Sequence, residues 1–322
     1  MKISRNFLLI ILLILSANLS SFSQNEKSRE KKKSETVKIS TIPIEVKANL
    51  LVVDAAEELV DIKAEDIKIF EDGVEQKLTQ FFKKEPVLNL GLLFDNSSSI
   101  RDKLNEIKTA GKILVANLGD NDQSFIVRFV SSDKIEIVQE FTNNKILLTK
   151  AIDGLYIEGG QTALLDALYL SAEKLSKLEN QDKSKRYAIV LFSDADDRDS
   201  YYKTDEVMKK FAGTDLQVFL VSYALTLNDK KTQKKAIELG QTITWETGGA
   251  LQTLALKHSK DDLINAIKAI IYELRSQYII SYTSTNQLLD EKPRKLTVQI
   301  SDSEKGEKRT GVIRESFIVP KK

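Results

Sequence analysis

Leu88-Asn89-Leu90-Gly91-Leu92-Leu93-Phe94-Asp95-Asn96-Ser97-Ser98-Ser99-Ile100 decides how this chain folds. The nearly unbroken apolar run Leu88 to Phe94 suits a strand covered on both faces, as in a sheet sandwiched between helices. Polar residues then interrupt it. Beyond them Ile100, Leu104, Ile107, Gly111, Leu114 and Leu118 recur at helical spacing, with charged residues opposite. A buried strand, a polar tip and an amphipathic helix make one α/β unit.

The same unit repeats downstream. Phe125 to Val130 and Ile135 to Phe141 flank Ser131-Ser132-Asp133-Lys134 and read as a hairpin, hence one antiparallel edge. Helical patterns follow at Lys145 to Leu155 and Ala163 to Leu178, then a buried strand at Tyr187 to Phe192. A helix at Thr204 to Ala212, a strand at Val218 to Tyr223 and helices at Lys231 to Thr242 and Lys260 to Leu274 close the series, with Gly248-Gly249-Ala250 as a break. Such alternation predicts an α/β fold with a doubly wound, mostly parallel sheet, whose ligands sit beyond the carboxyl ends of the strands.

Outside this unit the texture changes. Ile42 to Val53 and Ile67 to Phe70 are strand-like and separated by turn signals such as Glu71-Asp72-Gly73. Tyr278 to Tyr282, Leu296 to Ile300 and Val312 to Val319 repeat that style. Neither end has strands enough to stand alone, so residues 37–86 and 276–322 are expected to pair into one flanking β module around residues 87–275.

The start of the chain reads as an export signal over residues 1–23. Lys2 and Arg5 precede the apolar run Phe7 to Leu15, and Ser21-Phe22-Ser23 offers small residues for cleavage. That run is shorter than the roughly 18 residues a spanning helix needs, and no later segment reaches that length. Residues 24–36, charged and without apolar positions, read as a linker. The expected location is the periplasm, the cell surface or the medium.

Composition narrows the function classes. With 48 basic and 47 acidic residues the net charge is +1, so no global field draws the protein to nucleic acid or an anionic membrane. The chain has no cysteine, which excludes disulfides, thiolate zinc sites and thiol nucleophiles. One histidine, His258, lacks any Gly-x-Ser-x-Gly elbow to serve, and no phosphate-binding loop occurs.

Chemistry is left to the strand tips. Alone, Asp95-x-Ser97-x-Ser99 reads as a helix cap in preference to a ligand set. Two more tips join it: Glu158-Gly159-Gly160-Gln161-Thr162 before one helix, and Ser193-Asp194-Ala195 after a buried strand. Asp95, Ser97, Ser99, Thr162 and Asp194 together form an all-oxygen set suited to a hard divalent cation, Mg²⁺ or Mn²⁺. Hydroxyl ligands leave such a cation under-neutralised and drawn to an outside carboxylate. Asp196, Asp197 and Asp199 extend the third tip and read as a solvated acidic loop. Trp245 reads as core, and Tyr201 and Tyr202 as a frame for a ligand or as packing.

These tips resemble the metal ion-dependent adhesion site of von Willebrand factor A domains. Asp66 to Gly73 and Glu273 to Tyr278 resemble the flanks of that domain in exported bacterial proteins called VWFA-related. The resemblance implies Ser97, Ser99 and Thr162 as direct ligands, with Asp95 and Asp194 acting through water. One departure stands out: many relatives carry Asp-Gly at the third tip, whereas this chain has Asp194-Ala195, so a positive φ there would strain the alanine. The expected function is a non-enzymatic, metal-dependent module that binds an acidic side chain of a partner protein. An envelope scaffold with a stabilising metal and a metal-assisted hydrolase are the alternatives.

Overall fold

Every residue from Leu88 to Asp95 is buried, as a strand needs to be if helices cover both of its faces. The computed structural model describes residues 38–39, 42–56, 58–83, 85–182 and 184–319. The expected signal and the whole of the expected linker lie outside them. Among the described residues no helix is long and apolar enough to cross a membrane.

The chain opens with strands β1 (Lys38–Ile39), β2 (Glu45–Asp54), β3 (Ile67–Glu71), β4 (Val74–Gln76) and β5 (Leu78–Phe82). The α/β unit follows as β6 (Leu88–Asp95), α1 (Leu104–Ala116), β7 (Gln123–Phe129), β8 (Ile135–Thr142), α2 (Lys145–Asp153), α3 (Leu164–Glu179), β9 (Arg186–Ser193), α4 (Thr204–Ala212), β10 (Gln217–Ser222), α5 (Lys230–Glu246), β11 (Leu251–Thr253) and α6 (Lys260–Ser276). Strands β12 (Tyr278–Thr283), β13 (Leu288–Leu289), β14 (Pro293–Ile300), β15 (Arg309–Val312) and β16 (Ser316–Ile318) complete it.

The central sheet runs β11-β10-β9-β6-β7-β8, parallel except for β8. The predicted antiparallel edge is therefore present, with Phe129 opposite Ile135. One face packs α1, α2 and α6 through Ile107, Leu148 and Ile267. The other packs α3, α4 and α5 through Leu168, Phe211 and Ile243. Three helices on each face explain why β6, β9 and β10 are buried throughout.

The two ends of the chain do meet. One four-stranded sheet is β15-β2-β12-β5, the other β16-β14-β3-β4. Leu50, Ile280 and Tyr282 of the first share a core with Ile69, Leu296 and Phe317 of the second, so the pair forms a sandwich. The single strand expected over Val312 to Val319 is two strands, β15 and β16, lying in different sheets. The chain changes sheets at Arg314, whose guanidinium reaches out to the carbonyls of Phe211, Ala212 and Thr214 after α4. At Glu71-Asp72-Gly73 the turn reading holds. Asp72 and Gly73 have φ of 49° and 82°, Asp72 accepts from Lys295 N–H, and Glu71 pairs with buried Arg294 at 3.0 Å.

The central unit is inserted between β5 and β12, so both crossings lie at the amino edge of its parallel strands. Arg275 ties them together: it donates to the Pro86 carbonyl at 2.9 Å and pairs with Asp122, which accepts from Leu88 N–H. Arg186 donates to the Leu274 carbonyl and to Asn49 of β2. This leaves the carboxyl edge free for a site.

Beside this junction Glu273 is buried and its Oε1 has no hydrogen-bond partner. Burial pushes its carboxyl from the ordinary 4.5 up to about 8. Within that window the folded chain holds a proton that the unfolded chain releases, so stability falls as pH rises through it. Glu273→Gln should flatten this slope. Thermal melts at a series of pH values should find the variant more stable than the parent near the top of the window and little changed below its bottom.

Candidate metal centre

Three tips converge at the carboxyl edge. Asp95 ends β6 and Ser193 ends β9, and the parallel register places Phe94 beside Phe192, their rings stacked at 4.8 Å. The next pair along is joined by a hydrogen bond: Ser193 Oγ donates to Asp95 Oδ2 at 2.5 Å and accepts from Ala195 N–H at 2.9 Å. Asp95 Oδ1 accepts from Ser97 N–H at 2.9 Å, which fixes the turn out of the strand. A short 3₁₀ segment, Ser98–Lys103, then leads into α1.

The cap reading of Ser97 does not describe what its side chain does. Ser97 sits at the cap position but makes no side-chain bond to the helix N–H groups. Its hydroxyl lies 3.1 Å from that of Ser99. Ser97 is buried and Ser99 exposed, so the hydroxyl pair runs from the interior to the surface.

The second tip is braced against the first. Asn96 N–H donates to the Phe129 carbonyl, Glu158 N–H donates to the Asn96 carbonyl, and Asn96 Nδ2 donates to the Tyr156 carbonyl. Gly159 and Gly160 have φ of 90° and 98°, and a side chain on Gly160 would meet Val130 at 2.9 Å. Only glycine allows this path, and it lets the Gly160 carbonyl accept from Ser98 N–H. Thr162, buried beyond the glycines, forms a parallel bridge with Asp197, and its carbonyl accepts from Arg198 and Asp199 N–H. Thr162 therefore sits between the first and third tips, bonded to the third through its own carbonyl and to the first through the Gly160 carbonyl.

Asp95 and Asp194 are both fully buried. Burial first, and the neighbouring Asp194 charge second, push the Asp95 carboxyl well above the ordinary range, against the bonds from Ser193 and Ser97. Burial likewise raises Asp194, opposed by the nearby Ser99 hydroxyl and Asp196 N–H. Asp194 Oδ1 accepts from Asp196 N–H at 3.1 Å, while its buried Oδ2 has no hydrogen-bond partner. An orphaned carboxylate oxygen beside a second buried carboxylate is a place that lacks positive charge. The donors are hydroxyl and carboxylate oxygens, as a hard cation requires. Among the described residues no three His, Cys, Asp or Glu side chains group to hold a metal, so hydroxyls would have to complete any ligand set here.

In the acidic run Asp199 is exposed, as expected of a solvated loop, whereas Asp196 and Asp197 are half-buried, and each of the three has a protein partner. Asp196 pairs with Arg198, Asp199 accepts from Ser132 N–H, and Asp197 accepts from Leu164 N–H, Leu165 N–H and the Ser200 hydroxyl, capping α3. Glu158 is neutralised by Arg128 at 2.7 Å and Lys134 at 3.2 Å. His258 stands apart, its ring nitrogens 2.7 Å from the Ala255 carbonyl and from Glu106. Trp245, expected in the core, is only partly buried. Ser193 and Asn96 were not foreseen as parts of the site. Their one signal was a polar residue ending, or immediately following, an otherwise apolar strand.

A sheet of this order with this site at its carboxyl edge accords with the family model for the von Willebrand factor type A domain, which matches residues 89–254. The chain belongs to that family. Domains of the family are protein-interaction modules. Solved structures similar to this von Willebrand factor A protein include an aerotolerance-related membrane protein from Bacteroides fragilis, at 17% identity and a TM-score of 0.46, covering 58% of this chain and 98% of that one. BatB from Bacteroides thetaiotaomicron is 15% identical, with a TM-score of 0.44 and coverage of 57% and 98%. The PilB minor pilin from Streptococcus sanguinis is 12% identical, with a TM-score of 0.45 and coverage of 60% and 62%. A search of the curated proteins finds no match.

Ala195 has a φ of 59°, a left-handed conformation that glycine adopts without strain. That backbone costs a non-glycine residue roughly 1–2 kcal/mol. The Ala195 methyl is buried in the core with α3 and α4, which returns about 0.8 kcal/mol. Glycine would also lose about 0.4–1 kcal/mol through the unfolded chain. The opposing terms nearly cancel. Ala195→Gly should therefore stay within about 1 kcal/mol of the parent in denaturant melts, whereas the β-branched Ala195→Val should lose clearly more than that.

Proposed function

We propose that this protein is an exported, non-enzymatic binding module in which Ser97, Ser99 and Thr162 hold a Mg²⁺ or Mn²⁺ ion directly, with Asp95 and Asp194 acting through water. When bound, the ion supplies an under-neutralised positive centre for the carboxylate of an acidic side chain on a partner protein. The observation that carries this reading is the unpartnered Asp194 Oδ2 beside buried Asp95. Two buried like charges without a cation oppose each other, and a cation relieves both.

The residues divide the work by burial. Asp95 is oriented by Ser193 and by Ser97 N–H, so its carboxylate cannot swing out to replace the hydroxyl donors. Exposed Ser99 leaves the outer side of the site open to a partner. The envelope-scaffold reading, in which the metal mainly holds the loops, is weakened because Ser98 N–H to Gly160 and Arg198 N–H to Thr162 already join all three tips.

Calorimetric titration of Mg²⁺ or Mn²⁺ into the purified protein should give binding heat and a raised melting temperature. Neither effect would sink the metal reading if found only in one buffer; absence of both in every buffer would. Without metal, Asp194→Asn should melt no lower than the parent, because it removes one of two buried charges, yet it should lose the metal-induced rise. Ser97→Ala and Thr162→Ala should abolish chelator-sensitive retention of partner protein from envelope extracts. Full retention by both variants would favour the scaffold instead.

A further inference from the structure

Two tyrosines stand exposed on the tips that carry the site, and each is held by buried structure rather than left free. Tyr156 is 50% exposed and Tyr201 76% exposed. Exposed aromatic rings on fixed backbones are the usual anchors of protein recognition, because a large contact area is ordered in advance.

Tyr156 is tied to the first tip. Its carbonyl accepts from Asn96 Nδ2, the residue between Asp95 and Ser97, and the Arg128 guanidinium lies 4.6 Å from its ring centre. Arg128 is itself fixed by Glu136 and Glu158. Next along the chain, Ile157 packs on the core shared by α1, α2 and α6.

Tyr201 is mounted on the opposite face of the sheet. Buried Asp166, in the first turn of α3, accepts from the N–H groups of Tyr201 and Tyr202 at 3.0 and 2.9 Å. Tyr202 stacks on Tyr169 at 3.8 Å and packs on the core of α3, α4 and α5, while Tyr201 meets Tyr202 edge-on and stays outside. The metal tips thus form a crest, with one rigid tyrosine over each face. On the tips themselves Ser98, Ser99, Gly160, Gln161, Arg198 and Asp199 are exposed.

We propose that Tyr156 and Tyr201 are the specificity anchors of the site, and that its partner is a protein segment laid across the crest whose acidic residue has apolar side chains on both sides. The inference rests on the metal reading above and adds what that reading leaves open, the chemistry of the residues around the acid. A cation attracts any carboxylate; apolar neighbours select among them by covering the two rings.

Synthetic peptides with one central Asp provide the probe, flanked on both sides either by Leu or by Ser, and immobilised for binding in Mg²⁺ and in chelator. The Leu-flanked peptide should bind the full chain in Mg²⁺ at least about tenfold more tightly than the Ser-flanked one. Tyr156→Ala and Tyr201→Ala should each reduce that preference by roughly threefold, Tyr156→Phe and Tyr201→Phe should keep it, and the heat of Mg²⁺ binding should be unchanged in all four. Equal, Mg²⁺-dependent binding of both peptides would overturn the anchors and leave the metal reading standing. A preference that survives both alanine variants would overturn them as well. No Mg²⁺ heat, or binding indifferent to chelator, would remove the metal reading and this inference with it.

Discussion

Two carboxylates, Asp95 and Asp194, are held inside the protein at the ends of adjacent parallel strands, where burial and mutual repulsion both oppose their charge. Most of the carboxyl edge is arranged around that tension. Ser193 and Ser97 N–H hold one carboxylate, Asp196 N–H holds half of the other, and the remaining oxygen has no hydrogen-bond partner. A buried carboxylate oxygen without a partner costs stability, and such groups concentrate at functional sites.

The surrounding acids show how local wiring separates a site from its neighbours. Asp196, Asp197 and Asp199 lie within five residues of Asp194, yet each has a protein partner and none is left to receive an ion. Asp197 spends its charge on the start of α3, which is also what brings Thr162 to the third tip. The glycine pair before Thr162 and the strained Ala195 after Asp194 are two solutions to one problem, a backbone that must turn left-handed to present its neighbours.

The junction with the sandwich and the converging tips lie at opposite edges of the central sheet. The sandwich meets the central sheet at the amino edge, through Arg186, Arg275 and the guanidinium of Arg314 beyond α4. The three tips occupy the carboxyl edge, where parallel strands and helix starts bring short loops together from distant points in the chain.

Periodicity determined most of the fold in advance. Strands buried on both faces must be apolar throughout, and helices buried on one face must repeat near 3.6 residues, so β6, β9, β10 and all six helices are legible in the chain. The convergence of the three tips was legible too, because parallel topology says where loops meet. Three-residue β11 was not, since it is too short to show a period and exists only because Gly249 lets it approach Val218. Nor were the split at Arg314, the bond from Ser193 to Asp95 or the partners of the acidic run. Each of these depends on which residues meet across the fold, and a hydrogen bond between positions far apart in sequence leaves no local pattern to read; only the tertiary structure could decide them.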